Sequence, residues 1–246
     1  MSKDLKNDVV DTYNKMDRYF QWVYNTYAKF VGKNVLDIGV GFGNMTKFYV
    51  HKTDLVIATD LNESVLEIVK KRFHNYNVIT QTLNIESDDV SALKQHRLDT
   101  VICTNVIEHI EDDFKALLNM KAILANQGKI IILVPALPSL YNQFDRSAGH
   151  FRRYRRGELV ALAHKAELKI VHRRYVNVLG IIPYYLKGKN SKKDVREQNQ
   201  NDILCSSEIG EKASKLYNIA SYIMEPVEKI IRFPWGLSEL IVLQNA

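Results

Sequence analysis

"VLDIGVGFGNMT", residues 35–46, runs from an aliphatic stretch into three glycines at alternate positions, Gly39, Gly41 and Gly43. The aliphatic run reads as a short buried strand over 34–39, and 44–51 reads as the opening of a helix. Glycines between a strand and a helix permit a tight turn and let a ligand approach the backbone. Outward from this loop, aliphatic stretches at 55–60, 77–84, 98–105, 128–135, 168–176 and 237–244 read as further strands. Helical spacing marks 62–73, opened by Asn62 as its cap, then 112–124 and 158–167. Upstream, Val9, Tyr13, Met16, Phe20, Val23, Tyr27 and Phe30 recur at helical spacing over 8–31. Strands alternating with helices at this spacing predict βαβ units, a parallel sheet and right-handed crossovers.

The chain has 246 residues, 46% apolar and 25% charged, which allows one sizeable α/β core. We expect one domain over 1–246, with an N-terminal helical cap at 1–31 and an insertion at 180–235 between the last two strands. That insertion holds the polar stretch "KGKNSKKDVREQNQND" (187–202) and a helix around 207–231. A connection of this length is more often functional than incidental. Two cysteines, Cys103 and Cys205, stand far apart and in no metal-ligand spacing. Neither a disulfide scaffold nor structural zinc is expected, and a cytoplasmic setting fits. The N-terminus lacks the apolar core of a secretory signal, and no apolar run approaches the ~20 residues of a transmembrane helix. The net charge of +6 is uneven. Residues 146–193 carry 13 Lys/Arg against Glu158 and Glu167. Such an excess suits a solvated face or an anionic partner: a substrate carboxylate or phosphate, a nucleic acid or a membrane surface.

Two acids narrow the glycine loop's ligand. Asp37 lies in the strand two residues before Gly39, and Asp60 ends the next strand, where a ribose diol finds an acceptor. A pyrophosphate at the helix N-terminus would be repelled by Asp37. No Walker lysine or serine is present. A cationic ligand such as S-adenosylmethionine fits better. Here the sequence resembles the class I S-adenosylmethionine-dependent methyltransferases over about 30–175. "VLDIGVGFGNMT" is similar to their first motif and "ATDLNESVLE" to their second. "DTVICTNVIEHIEDD" and "ILANQGKIIILVP" resemble their fourth- and fifth-strand motifs. The resemblance implies a Rossmann-like, seven-stranded sheet with helices on both faces and an antiparallel last strand. It implies cofactor contacts from Asp37, Gly39, Gly41, Gly43, Asp60, Leu61, Asn84, Ile85 and Asn105, with Tyr19 closing the pocket from the N-terminal helix. In "LNIES" (83–87), Asn84 stands where the family often has an acid near the adenine.

Methyl transfer from a sulfonium needs positioning first, and a base only for a protonated acceptor. His109 either serves as that base or orders its loop together with Glu108. Quinone-pathway O-methyltransferases that this stretch resembles bind a divalent ion here. Asn105 replaces the first acid of that pattern, so no metal is expected. The loop after the fifth strand, "PALPSLYNQFDRSAGHFRRYRRGEL" (135–159), resembles a subset acting in small-molecule, lipid or glycan biosynthesis. Its Asp145 and His150 are candidate acceptor contacts or a proton-transfer pair. Tyr141, Arg152, Arg153 and Tyr154 are candidate substrate contacts, the two arginines as anion clamps. Arg155 and Arg156 are expected to face solvent. The expected acceptor is a small biosynthetic molecule, anionic or isoprenoid- and lipid-like, with weak membrane-surface association compatible. RNA or another nucleic acid is the alternative. It is disfavoured because no appended RNA-binding motif and no base-flipping loop is present.

Overall fold

The computed structural model describes residues 16–190 and 211–245. Seven strands form one sheet: β1 (Asn34–Ile38), β2 (Leu55–Asp60), β3 (Val78–Thr82), β4 (Leu98–Thr104), β5 (Leu124–Pro135), β6 (Lys169–Val176) and β7 (Ser238–Gln244). Their order is β3-β2-β1-β4-β5-β7-β6. The first five pair in parallel, and β7 runs antiparallel between β5 and β6. The order reverses at β1, so the loops after β1 and β4 leave the sheet side by side. That switch point is where open α/β sheets take their ligands.

Period-two alternation splits the strands between two cores. On β5, Ile130, Ile132 and Val134 join one cluster while Ile131 and Leu133 join the other. On β7, Ile241 and Leu243 face the first, and Leu240 and Val242 the second. The helices are α1 (Asp17–Asn25), α2 (Glu63–Arg72), α3 (Asp113–Ile123), α4 (Gln143–Ser147), α5 (Glu158–Lys165), α6 (Ile181–Asn190) and α7 (Glu211–Ile230). The first core is closed by α3 and α5, through Leu117, Met120, Leu159 and Ala163. The second is closed by α1, α2 and α7, through Trp22, Val23, Val69 and Met224. Asn62 caps α2 by accepting from the Ser64 amide at 3.0 Å.

Two expected elements differ, and one expected stretch lies outside the described residues. The long N-terminal helix is α1 followed by a 3₁₀ turn at Ala28–Phe30, with residues 1–15 outside the described part. The stretch 191–210, with Cys205 and most of the polar tract, also lies outside it. Residues 44–51 form two 3₁₀ turns, Thr46–Phe48 and Val50–Lys52, not an α-helix. The cause is Asp37. Thr46 and Tyr49 both donate to its Oδ2. Residues three apart eclipse in a 3₁₀ turn, so both side chains reach one oxygen there.

Candidate active site

The glycine loop leaves β1 with Gly39, Gly41 and Gly43 all at positive φ. Two of them are filled against the protein. A Cβ on Gly39 would stand 2.3 Å from Val106 Cγ2, and one on Gly43 would stand 2.4 Å from Phe73 Cε2. Gly41, at φ +52°, has nothing within 4 Å of that position. Its side of the loop faces open space at the sheet edge. Asp60, at the end of β2, reaches this loop: Oδ2 accepts from the Gly41 amide at 3.1 Å, and Oδ1 from the Asn62 amide at 3.0 Å. Leu61 beside it is exposed. A cationic nucleoside fits the open side of Gly41 with a carboxylate at its rim, so the residues present suit S-adenosylmethionine.

Asp37 sits beneath the loop, buried, with Oδ2 committed to Thr46 and Tyr49. Burial raises its carboxyl to about 6, against the opposing hydrogen bonds. It supports the loop from inside, whereas the sequence suggested a direct ligand contact. Asn84 is engaged in its own turn, its Oδ1 accepting from the Glu86 amide and its amide donating to Asp88. Ile85 packs in the first core. Asn105 is exposed, left-handed at φ +54°, and tied to β5 by its amide on Leu133 O. Tyr19 packs edge-on to Trp22, and its amide donates to Asn218 of α7 at 3.2 Å.

The turn after β4 links the glycine loop to a second cluster. Val106 fills the space under Gly39, and three residues later His109 meets His150 edge-to-face, with ring centroids 4.5 Å apart. His150 Nδ1 lies 3.0 Å from Asp145 Oδ1. Asp145 is buried and accepts three further hydrogen bonds, from Arg153 Nε, the Asn142 amide and Tyr184 OH, the Asn142 bond closing the capping box of α4. Those partners overcome burial and hold its carboxyl down at about 2. Partial desolvation and the His150 ring push His109 to about 4, so it is neutral at pH 7. Glu108, buried and with neither carboxyl oxygen hydrogen-bonded, is raised by desolvation to about 8. Donor atoms of Glu108, His109 and His150 lie within 4.8 Å of one another. The same three could hold a divalent ion once Glu108 loses its proton, with His150 supplying the ligand that Asn105 does not.

The expected anion clamps are corrected by the structure. Arg153 is buried, donating to Asp145 at 2.8 Å and to Ala136 O at 3.1 Å. Arg152 pairs with Asp113 at 2.9 Å and donates to Glu111 O. Both guanidiniums are paired within the protein, Arg153 with the loop's Asp145 and Arg152 with Asp113 at the start of α3. Tyr154 is fully buried, bridged to Ala136, with its hydroxyl on Asp113 at 3.0 Å. It is a core residue, not a substrate contact. Tyr141 donates to His150 O at 2.7 Å and so sets the loop's backbone. Arg155 and Arg156 are exposed, as their place before α5 suggested. Two participants carried no sequence signal. Tyr184 of α6 reaches Asp145 and lies under the Arg153 guanidinium at 4.3 Å, and Asp113 collects Arg152 and Tyr154.

A family model described as a methyltransferase domain matches residues 14–173. A ubiquinone biosynthesis O-methyltransferase of Coxiella burnetii is 26% identical over 101 residues, 40% of this chain and 42% of that one. A ubiquinone/menaquinone biosynthesis C-methyltransferase of Blochmanniella pennsylvanica is 25% identical over 155 residues, 60% of each chain. The chain thus spans less than two thirds of the curated relatives it matches. Among solved structures, the N-methyltransferase NodS of Bradyrhizobium japonicum, in complex with S-adenosylhomocysteine, superposes with a TM-score of 0.55. It is 14% identical, over 93% of this chain and 86% of that one. The chain belongs to the methyltransferase domain family and has the fold of a class I, S-adenosylmethionine-dependent methyltransferase.

Proposed function

We propose that the protein methylates a small biosynthetic molecule, using S-adenosylmethionine held on the open side of Gly41 with Asp60 at the ribose. The observation that carries this is the β4 turn. It sets Val106 under the glycine loop and His109 against His150, so a cofactor cradle and a histidine–carboxylate pair share one sheet edge. The cofactor supplies a methyl group on a sulfonium, a leaving group that needs no activation. Asp145 fixes the His150 ring, because an ionised carboxylate favours the tautomer with hydrogen on Nδ1. Nε2 is then left as the basic nitrogen. His150 is the base for a hydroxyl or another protonated acceptor, and His109, neutral at pH 7, packs edge-to-face against its ring. Tyr184 brings α6 over this cluster, so the insertion helps to cover the acceptor. The names of the relatives favour a quinone-pathway or similarly isoprenoid-bearing phenol as the first acceptors to try.

Calorimetry should detect S-adenosylhomocysteine binding and no NAD binding; the reverse result overturns the cofactor assignment. Product S-adenosylhomocysteine should form with a panel of hydroxylated aromatic and isoprenoid acceptors. Formation with RNA alone would replace the small molecule by a nucleic acid. With an accepted phenol, His150→Ala should cut kcat by about 10²-fold or more while the cofactor Kd stays unchanged. An unchanged kcat removes His150 as base.

A further inference from the structure

Over its residues 218–230, α7 buries two acids beside one core residue: Ser221, Met224, Glu225 and Glu228 face inward, at spacings of three, one and three. Both acids are anchored there. Glu225 pairs with Arg18 and Lys229 and accepts from Asn25. Glu228 accepts from the Val178 amide and lies 3.6 Å from Arg174. The opposite face carries Ile219, Tyr222, Ile223 and Ile230, between 61% and 84% exposed. Ile231 and Trp235 continue it beyond the helix end, each at least half exposed. A surface helix normally turns such residues inward. Single exposed apolar residues are ordinary, but a contiguous stripe marks a contact surface.

The chemistry around the stripe identifies the contact. Where α7 ends, Arg156, Arg173, Arg174 and Arg232 line one open pocket with Tyr175, Phe233 and Pro234. Arg173 is matched by Glu239 and Arg174 by Glu228. Arg156 and Arg232 have no carboxylate partner among the described residues, and Arg174 Nε is buried with no acceptor. The pocket is therefore a net cation beside exposed isoleucines and a tryptophan. Higher along the helix, the Arg18 guanidinium lies over the Tyr222 ring at 4.7 Å. Apolar side chains that enter acyl chains, flanked by arginines at headgroup level, suit a helix lying in a membrane interface. A nucleic acid would use the arginines and leave the isoleucines wet. A two-fold contact with a second copy would set like-charged pockets near one another. No described helix is long and apolar enough to cross a membrane, so the contact is with one leaflet.

We infer that the outer face of α7, with the arginine pocket at its end, docks the protein on an anionic bilayer surface. The inference does not depend on the acceptor assignment, because docking needs neither cofactor nor turnover. The full chain should sediment with phosphatidylcholine vesicles in which about one lipid in three is phosphatidylglycerol, and not with phosphatidylcholine alone. Added salt should weaken the binding. Ile219→Asp with Ile223→Asp, and separately Arg156→Glu with Arg232→Glu, should each weaken it by about tenfold or more. Both variants should keep the wild-type affinity for S-adenosylhomocysteine. Equal binding to both vesicle types, or none, overturns the inference. So does a wild-type oligomer that the isoleucine variant dissociates, which would make a second copy the occupant. A fall in Tm of that variant without vesicles overturns it too, since the face would then be covered within the chain. Free phosphate competing fully with the vesicles would reduce the pocket to a soluble-anion site.

Discussion

Gly41 and Gly43 share a backbone conformation and differ in what surrounds them. A side chain at 43 must displace the Phe73 ring, whereas one at 41 meets only open space. Gly43→Ala should therefore lower Tm markedly. Gly41→Ala should cost only the left-handed strain, about 1 kcal/mol, yet fill the cofactor's side of the loop. Calorimetry with S-adenosylhomocysteine alongside thermal melts separates the two effects: 43 loses fold, 41 loses ligand. Asp60→Ala should weaken that ligand by about 1–3 kcal/mol, the value of a hydrogen bond to a charged group. An unchanged affinity would remove its ribose role. At this scale the sequence was legible where one residue type is required by the backbone, as at the glycines. It was not legible for Arg153. An arginine bound for Asp145, eight residues away in the chain, looks the same in a sequence as one bound for a substrate.

The loop between β5 and α5 behaves as an element in its own right. Asp145 is its hub, joining the α4 cap, His150, Arg153 and Tyr184. Removing a buried partner leaves a buried charge undercompensated. Arg153→Met should destabilise the protein by about 3 kcal/mol in urea unfolding. Arg155→Ala, two residues on and exposed, should stay within about 0.5 kcal/mol. Equal effects would show that Arg153 is not structural. The expected helix after the glycine loop failed for a related reason. Local spacing allowed an α-helix, and the shared bond of Thr46 and Tyr49 to Asp37 selected 3₁₀ turns. Strands were easier to read, because two-sided burial demands unbroken aliphatic runs such as "IIILV".

Across the whole molecule, one buried carboxyl gives stability a pH signature. Glu108 takes up its proton near pH 8 in the fold and near 4.5 when unfolded. Between those values the native state binds more protons, so its contribution to stability falls as pH rises, by about 1.4 kcal/mol per unit. Glu108→Gln removes the titration and keeps the shape. Its Tm advantage over wild type should grow steadily from pH 5 to pH 8, and a constant difference would place Glu108 in water. The alternation of aliphatic strands with helices, the glycine loop and Asp60 determined the α/β class and the cofactor edge, because periodicity and backbone strain are local properties written residue by residue. Only the tertiary structure decided which charges are spent internally, that α7 turns its apolar face outward, and that His109, His150 and Asp145 meet. Those depend on which side chains the fold brings together, from eight residues apart for Arg153 and Asp145 to more than two hundred for Arg18 and Glu225, and such a pairing leaves no mark in the spacing of either partner.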